Sequence, residues 1–194
     1  MTSHLQIPAG TSTAELVDRR SRFIGRAQPL ASPAQVRDLI HAEREAHKGC
    51  THVVHAFITG DVKSQVQGSS DDGEPKGTAG RPVLEVLKGS GFTNVLLTVV
   101  RYYGGTNLGT GGLVRAYSDC ARETVRGLAG RPLRRETAFR VEVPYHLYER
   151  LKTWIAAHEG ETRGESFGTA VTVEGVVPEE RREALALHLA DLSA

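Results

Sequence analysis

The sequence predicts an α+β protein of two domains, and three observations predict it. Strand-like and helix-like apolar periods are mixed along the 194 residues. A breaker cluster, Gly130-Arg131-Pro132, interrupts them. After the cluster the pattern restarts as a β-α-β-β-α unit with its own apolar face. These place an N-terminal domain over 1–130 and a C-terminal domain over 131–194.

The elements follow in order. Glu15 to Pro29 reads as extended, and Arg20, Arg22 and Arg26 share one parity, so a strand there puts three guanidiniums on one face. Ser32-Pro33 opens a helix, Ser as N-cap and Pro in the first position, with Val36, Leu39, Ile40 and Glu43 at helical spacing up to Gly49. Thr51 to Thr59 is an apolar strand. Gln65 to Gly80 is nearly devoid of apolar residues and rich in Gly, Ser and Asp, which predicts a long loop. Pro82 lies in the first turn of a short helix stopped by Gly89 and Gly91. Thr93 to Tyr103 is apolar on both parities, the mark of a central strand covered on both faces. From Leu113 one face of a helix runs through Ala116, Tyr117, Cys120, Thr124 and Leu128. In the tail, Thr137 to Val143 alternates as a half-buried strand and Leu147 to His158 is an amphipathic helix. Two strands then flank the turn at Gly168, and Pro178 starts a last helix.

Composition narrows the function. With 39% apolar, 24% charged and 6% aromatic residues the chain is a soluble globular protein, neither disordered nor collagenous. The apolar run Val95 to Val100 is far too short to span a bilayer, and Met1 to Gly10 has neither the basic start nor the apolar core of a leader, so the expected location is the cytoplasm, with no membrane contact. Cys50 and Cys120 are too few for a disulfide framework and read as reduced thiols. A net charge of +1 argues against bulk coating of DNA. Up to Gly130 there are 15 basic and 12 acidic residues, beyond it 9 and 11, so any polyanion contact is local and favours the first domain.

Two segments carry candidate chemistry. Between the central strand and its following helix, Gly104, Gly105, Gly109, Gly111 and Gly112 fall within nine residues, preceded by Arg101 and followed by Arg115. Glycine N–H groups beside a helix start suit an anion, and the same glycines also suit a tight crossover. The loop fails the G-x-x-x-x-G-K-[ST] phosphate pattern, because Thr110-Gly111 stands where Lys-Ser/Thr belongs, and fails the dinucleotide fingerprint at Val114. It is loosely similar to the phosphate loop of kinases of the galactokinase and homoserine kinase type. Upstream, Asp71, Asp72 and Glu74 put three carboxylates on the expected loop, fit either for Mg²⁺ and hydrogen-bond donors or simply for water. His52 and His55 point to opposite faces of a strand and cannot chelate one metal, and Cys50 with His52 makes neither a zinc site nor a demonstrable nucleophile, so all three read as core. Trp154 and Tyr148 likewise read as core.

At this point the residues are recognisable. Ser69-Ser-Asp-Asp-Gly-Glu-Pro-x-Gly-Thr-Ala-Gly-Arg-Pro, then Asn94 to Arg101 and Tyr-Tyr-Gly-Gly-Thr-Asn-Leu-Gly-Thr-Gly-Gly-Leu-Val-Arg-Ala-Tyr, resemble the signature of the YigZ/IMPACT family across about residues 15 to 128. The resemblance, to a bacterial YigZ-like member, implies an N-terminal two-layer β-α domain of the ribosomal-protein and small-molecule-kinase type. It also implies a ferredoxin-like tail similar to the end domains of elongation factor G. Eukaryotic relatives regulate translation by binding a partner of the starvation-responsive initiation-factor kinase, which ties the expected function to translation and stress.

The resulting expectation is a binding protein of RNA, the ribosome or a translation-associated protein rather than an enzyme, needing no cofactor and no metal. Arg101, the glycine loop and Arg115 form its anion seat, Arg20, Arg22 and Arg26 a second basic face, and Asp71, Asp72 and Glu74 the edge of the same cleft. The alternative is an Mg-dependent enzyme acting on a phosphorylated small molecule or nucleotide, with those carboxylates on Mg²⁺.

Overall fold

The structure, a computed structural model, describes residues 5–61 and 64–192; 1–4 of the first expected domain and 193–194 of the second lie outside the described residues. Two compact units divide after Leu133.

The first unit is built on an antiparallel sheet of β2 (Ser12–Asp18), β3 (Ser21–Pro29), β4 (His52–Thr59), β5 (Val66–Ser70) and β6 (Val95–Tyr102), in the order β2-β3-β6-β4-β5; a short β1 (Gln6–Pro8) lies outside it. The central place of β6 explains its sequence. Every residue from Val95 to Arg101 is buried, so both parities had to be apolar apart from Thr98 and Arg101. Helices α2 (Gly80–Ser90) and α3 (Gly109–Arg126) cover one face, where Phe23, Val54, Ala56, Leu97, Val99, Leu87 and Tyr117 form the core. Burying each of the Phe, Val and Leu side chains among them contributes about 1.5–3 kcal/mol. Helix α1 (Val36–Ala46) covers part of the other face through a smaller cluster of Leu30, Val36 and Leu96. A single 3-10 turn, Pro33–Gln35, leads into α1 and carries a capping box: Ser32 Oγ accepts from Ala34 N and Gln35 Oε1 accepts from Ser32 N. Gly25 lets α3 close on β3, since a Cβ there would lie 2.0 Å from Thr124 Oγ1.

Three expectations need correction. The extended stretch from Glu15 is a hairpin: Arg19 and Arg20 turn with φ of 44° and 68°, and the strands resume at Ser21. Arg20 therefore sits in the turn and does not share the strand face of Arg22 and Arg26. The segment read as a loop from Gln65 contains β5, whose backbone groups pair with β4 from Thr59 to His55 although its side chains are mostly polar. Gly130–Pro132, read as a breaker, is β7; it pairs with β1, which puts it in the first unit and moves the division to Leu133.

The second unit runs β8 (Glu136–Val143), α4 (Tyr145–Ala157), β9 (Glu161–Phe167), β10 (Val171–Pro178), α5 (Arg182–Leu192), with the antiparallel order β8-β10-β9, a ferredoxin-like arrangement. Leu147, Leu151 and Ile155 of α4 meet Val171, Val173 and Val177 of β10 and Leu185 of α5 in a separate core. Trp154 is only partly buried there, stacked on His158 at 3.9 Å and His188 at 5.1 Å between ring centroids.

Candidate anion-binding site

Helix α3 starts four residues before Leu113, so Gly109, Gly111 and Gly112 are its first turn and the loop proper is only 103–108. Gly104 is imposed by contact: a Cβ on it would lie 2.0 Å from the Arg20 carbonyl carbon, and its N–H donates to Ser21 Oγ at 3.2 Å. Gly105 and Gly109 take φ of 81° and 74°, the left-handed region that admits glycine at no steric cost. The N-cap position is Leu108, which offers no side-chain acceptor, so the first N–H groups of an 18-residue helix lack a side-chain cap. Gly109, Thr110 and Gly111 are exposed, and a Cβ on Gly105, Gly109 or Gly111 would meet nothing within 4 Å. Arg115, in the second turn, is exposed and enters no ion pair among the described residues. The positive dipole end and its uncapped donors thus face open space, and Arg115 lies exposed further along the same helix.

The start of α2 is different because its own chain closes it. Asp71 accepts from the N–H groups of Gly77 (2.7 Å), Ala79 (3.1 Å) and Gly80 (2.8 Å), capping the helix from nine residues away. Partial burial works to raise the Asp71 carboxyl, but these three bonds together outweigh it and hold the group below its ordinary value. Asp72, at φ 45°, accepts through Oδ2 from Val53 N and from Arg44 Nη2, each at 2.6 Å, and its carbonyl accepts from His52 Nδ1 at 2.8 Å. Glu74 is buried, with Oε1 receiving Arg101 Nη1 at 2.6 Å and the Tyr117 hydroxyl at 2.8 Å. Desolvation, then the bond to Glu74, pushes the Tyr117 phenol well above its ordinary value, so it stays a proton donor. None of the three carboxylates edges an open cleft; each fastens the segment before α2 to the sheet or to a helix.

Arg101 is likewise not an arm of the seat. It is buried, its Nη2 donates to Ser21 Oγ at 3.2 Å, and its guanidinium carbon lies 5.4 Å from the ring centres of Phe23 and Tyr103. Because Ser21 Oγ also takes the Gly104 N–H, Arg101 supports the glycine loop from beneath. On the opposite sheet face, Arg22 is held by Glu15 through two 2.8 Å bonds, and Arg26 faces buried Glu43 at 3.7 Å, so that face is largely self-neutralised. The structure therefore leaves Gly105, Gly109, Gly111 and Arg115 exposed and ties Arg101, Asp71, Asp72 and Glu74 into the scaffold.

Sequence reasoning missed Ser21, His52, Arg44 and Tyr117 as partners in this scaffold. Only Tyr117 carried a signal, since a tyrosine on the inner face of a helix needs a partner for its hydroxyl. His52, read as core, is instead a polar brace between Asp72 and Glu74, with Nε2 3.8 Å from the latter.

The model of the Impact N-terminal domain matches residues 19–125, and that of a domain of unknown function (DUF1949) matches 141–194. The IMPACT family member YigZ of Escherichia coli is 32% identical over 188 residues, 96% of this chain and 92% of its own length. A crystal structure of a hypothetical protein is similar at a TM-score of 0.73 and 31% identity, covering 100% of this chain and 94% of the other. The two-domain translational regulator Yih1 is similar over 62% of this chain and 48% of its own, at 26% identity and a TM-score of 0.43.

Proposed function

The chain belongs to the IMPACT family, and on that premise we propose that it is a binding protein linked to the regulation of translation, seating an anionic group of RNA, the ribosome or a translation-associated protein at the start of α3. One observation carries the reading. Two helices begin on the same side of one sheet, and α2 has its N-terminus filled by Asp71 while α3 has donors without a side-chain cap and an unpaired Arg115 in its second turn. The seat is smaller than the residues alone suggested: Gly109, Gly111, Gly112 and Arg115 contact the anion, with Gly104, Gly105 and Arg101 holding the loop in place. Arg22 and Arg26 contribute less, Arg22 being held by both oxygens of Glu15 through Nε and Nη2 and Arg26 facing the buried Glu43.

The Mg-dependent reading loses its donors, because its three carboxylates already serve backbone N–H groups, Arg44, Arg101 and Tyr117. The test is the binding of fluorescein-labelled single-stranded RNA across a salt series. Arg115→Gln lowers affinity and flattens the slope of log K against log salt by roughly 0.7, one phosphate's worth of released counterion. An unchanged affinity and slope in Arg115→Gln overturns the seat.

A further inference from the structure

Beyond the anion seat, we propose that the groove between α2 and α3 is the docking site for an acidic amphipathic helix of a partner protein. The groove has a volume of 830 Å³ and lies wholly within the first unit. Its floor is Pro82 and Val86 of α2 with Val114 and Val125 of α3. Val86 and Val125 are only partly buried and Val114 is 40% exposed, so together they leave an aliphatic patch on the surface of the two helices. Ser118 on α3 and Gly89 on α2 leave the space between these side chains unfilled.

The walls specify the shape of the occupant. Both are helices, and the 11 residues of α2 run about 16 Å, so a third helix lying between them would be gripped over two to three turns. Anchors at i, i+4 and i+7 on such a helix meet Pro82, Val86, Val114 and Val125.

The rim specifies its charge. Arg81, Arg122 and Arg126 line the groove, against a single lining carboxylate, Glu85, which Lys88 already holds at 3.0 Å. Arg81 enters no ion pair among the described residues. Arg122 and Arg126 hold Asp119 and Glu123 at 2.8 Å in exposed i,i+3 pairs, which are weak and readily exchanged for a partner's carboxylates. A second copy of this chain is disfavoured, because an isologous contact would set arginine against arginine. RNA is disfavoured by the floor, which is aliphatic and offers bases neither a stacking ring nor a hydrogen bond.

The experiment uses the full chain, ¹⁵N-labelled, and two synthetic peptides of about 14 residues on an alanine background with leucines at i, i+4, i+7 and i+11. One carries flanking glutamates and the other flanking lysines. The glutamate peptide is expected to shift amide signals of α2 and α3 and to bind at least about tenfold tighter than the lysine peptide. Val114→Asp weakens it by about tenfold, and Arg81→Glu with Arg126→Glu reverses the preference. The charge reversal stands as a separate test should Val114→Asp unfold the protein. Equal or tighter binding of the lysine peptide overturns the proposal, as does binding of neither at about 1 mM. So do shifts confined to the start of α3 or to the second unit, and so does oligouridylate that displaces the glutamate peptide from the groove.

Discussion

Arg101 donates from Nη1 to Glu74 Oε1 at 2.6 Å, and both side chains are 6% exposed or less. This pair crosses from the central strand to the segment before α2, and Tyr117 of α3 adds a third element to the same oxygen. Three parts of the first unit thus meet at one carboxylate. A residue pattern that suggested an acid-lined cleft turns out to be the fastening of a scaffold, and the surface it supports is the glycine loop.

Breaking that pair from one side leaves a buried charge uncompensated, which costs about 3–5 kcal/mol, whereas replacing both partners by apolar residues of similar volume costs much less. Arg101→Met is therefore expected to destabilise strongly, and Arg101→Met with Glu74→Leu to recover a large part of the loss. Urea denaturation of the four species measures this as a double-mutant cycle. A loss below about 1 kcal/mol in Arg101→Met would mean that the pair is not holding the loop.

Asp71 is a helix cap and not a ligand, so Asp71→Ala is expected to cost about 1 kcal/mol at neutral pH, within the range of cap removal. Its folded carboxyl titrates lower than the unfolded one. Its contribution is therefore complete above the unfolded value, near 4, and disappears as pH falls through the lower folded value. The gap in stability between wild type and Asp71→Ala should narrow from pH 7 to pH 2. A constant gap would show that the cap acts without its charge. Binding of RNA by Asp71→Ala at neutral pH should be unchanged once the protein is folded.

Much of this was legible in the chain, for local reasons. Ser32, Pro33 and Gln35 carry their cap within four residues, and the two-sided apolar run of β6 announces a central strand. The hairpin at Arg19-Arg20 was hidden because the turn has no Gly or Asn to mark it, and the left-handed angles are borne by arginines. Strand β5 was hidden because its pairing is backbone to backbone, while Gln67, Gly68, Ser69 and Ser70 carry no apolar alternation. The fates of Asp71 and Glu74 depend on residues up to 43 positions away. No spacing rule reaches that far, whereas the glycines at the start of α3 and Arg115 are neighbours in sequence and can be read together.

The second unit has its own core, with Leu151, Val171, Val173 and Val177 fully buried. A fragment of residues 134–194 is expected to unfold cooperatively by itself, with a stability of about 3–9 kcal/mol for roughly 60 residues. Absence of a cooperative transition in the fragment, where the whole chain shows one, would mean that the unit does not fold independently.

The two thiols should differ in reactivity. Cys120 is wholly buried where α3 closes on Gly25 of β3, and burial pushes its thiol up to about 12, against smaller lowering effects of its bonds to Thr124 and Gly25. At pH 8 the thiolate of Cys120, the reactive form, is therefore scarce, and burial keeps reagent from it. Cys50 is half-buried ahead of β4. An aromatic disulfide reagent at pH 8 should therefore titrate one thiol rapidly in the native protein and two in denaturant, and Cys50→Ser should abolish the fast phase. The slow reaction of Cys120 then measures how often α3 lifts from the sheet. Fast modification of Cys120 in the native state would mean that the closure of α3 on Gly25 of β3 opens readily in solution.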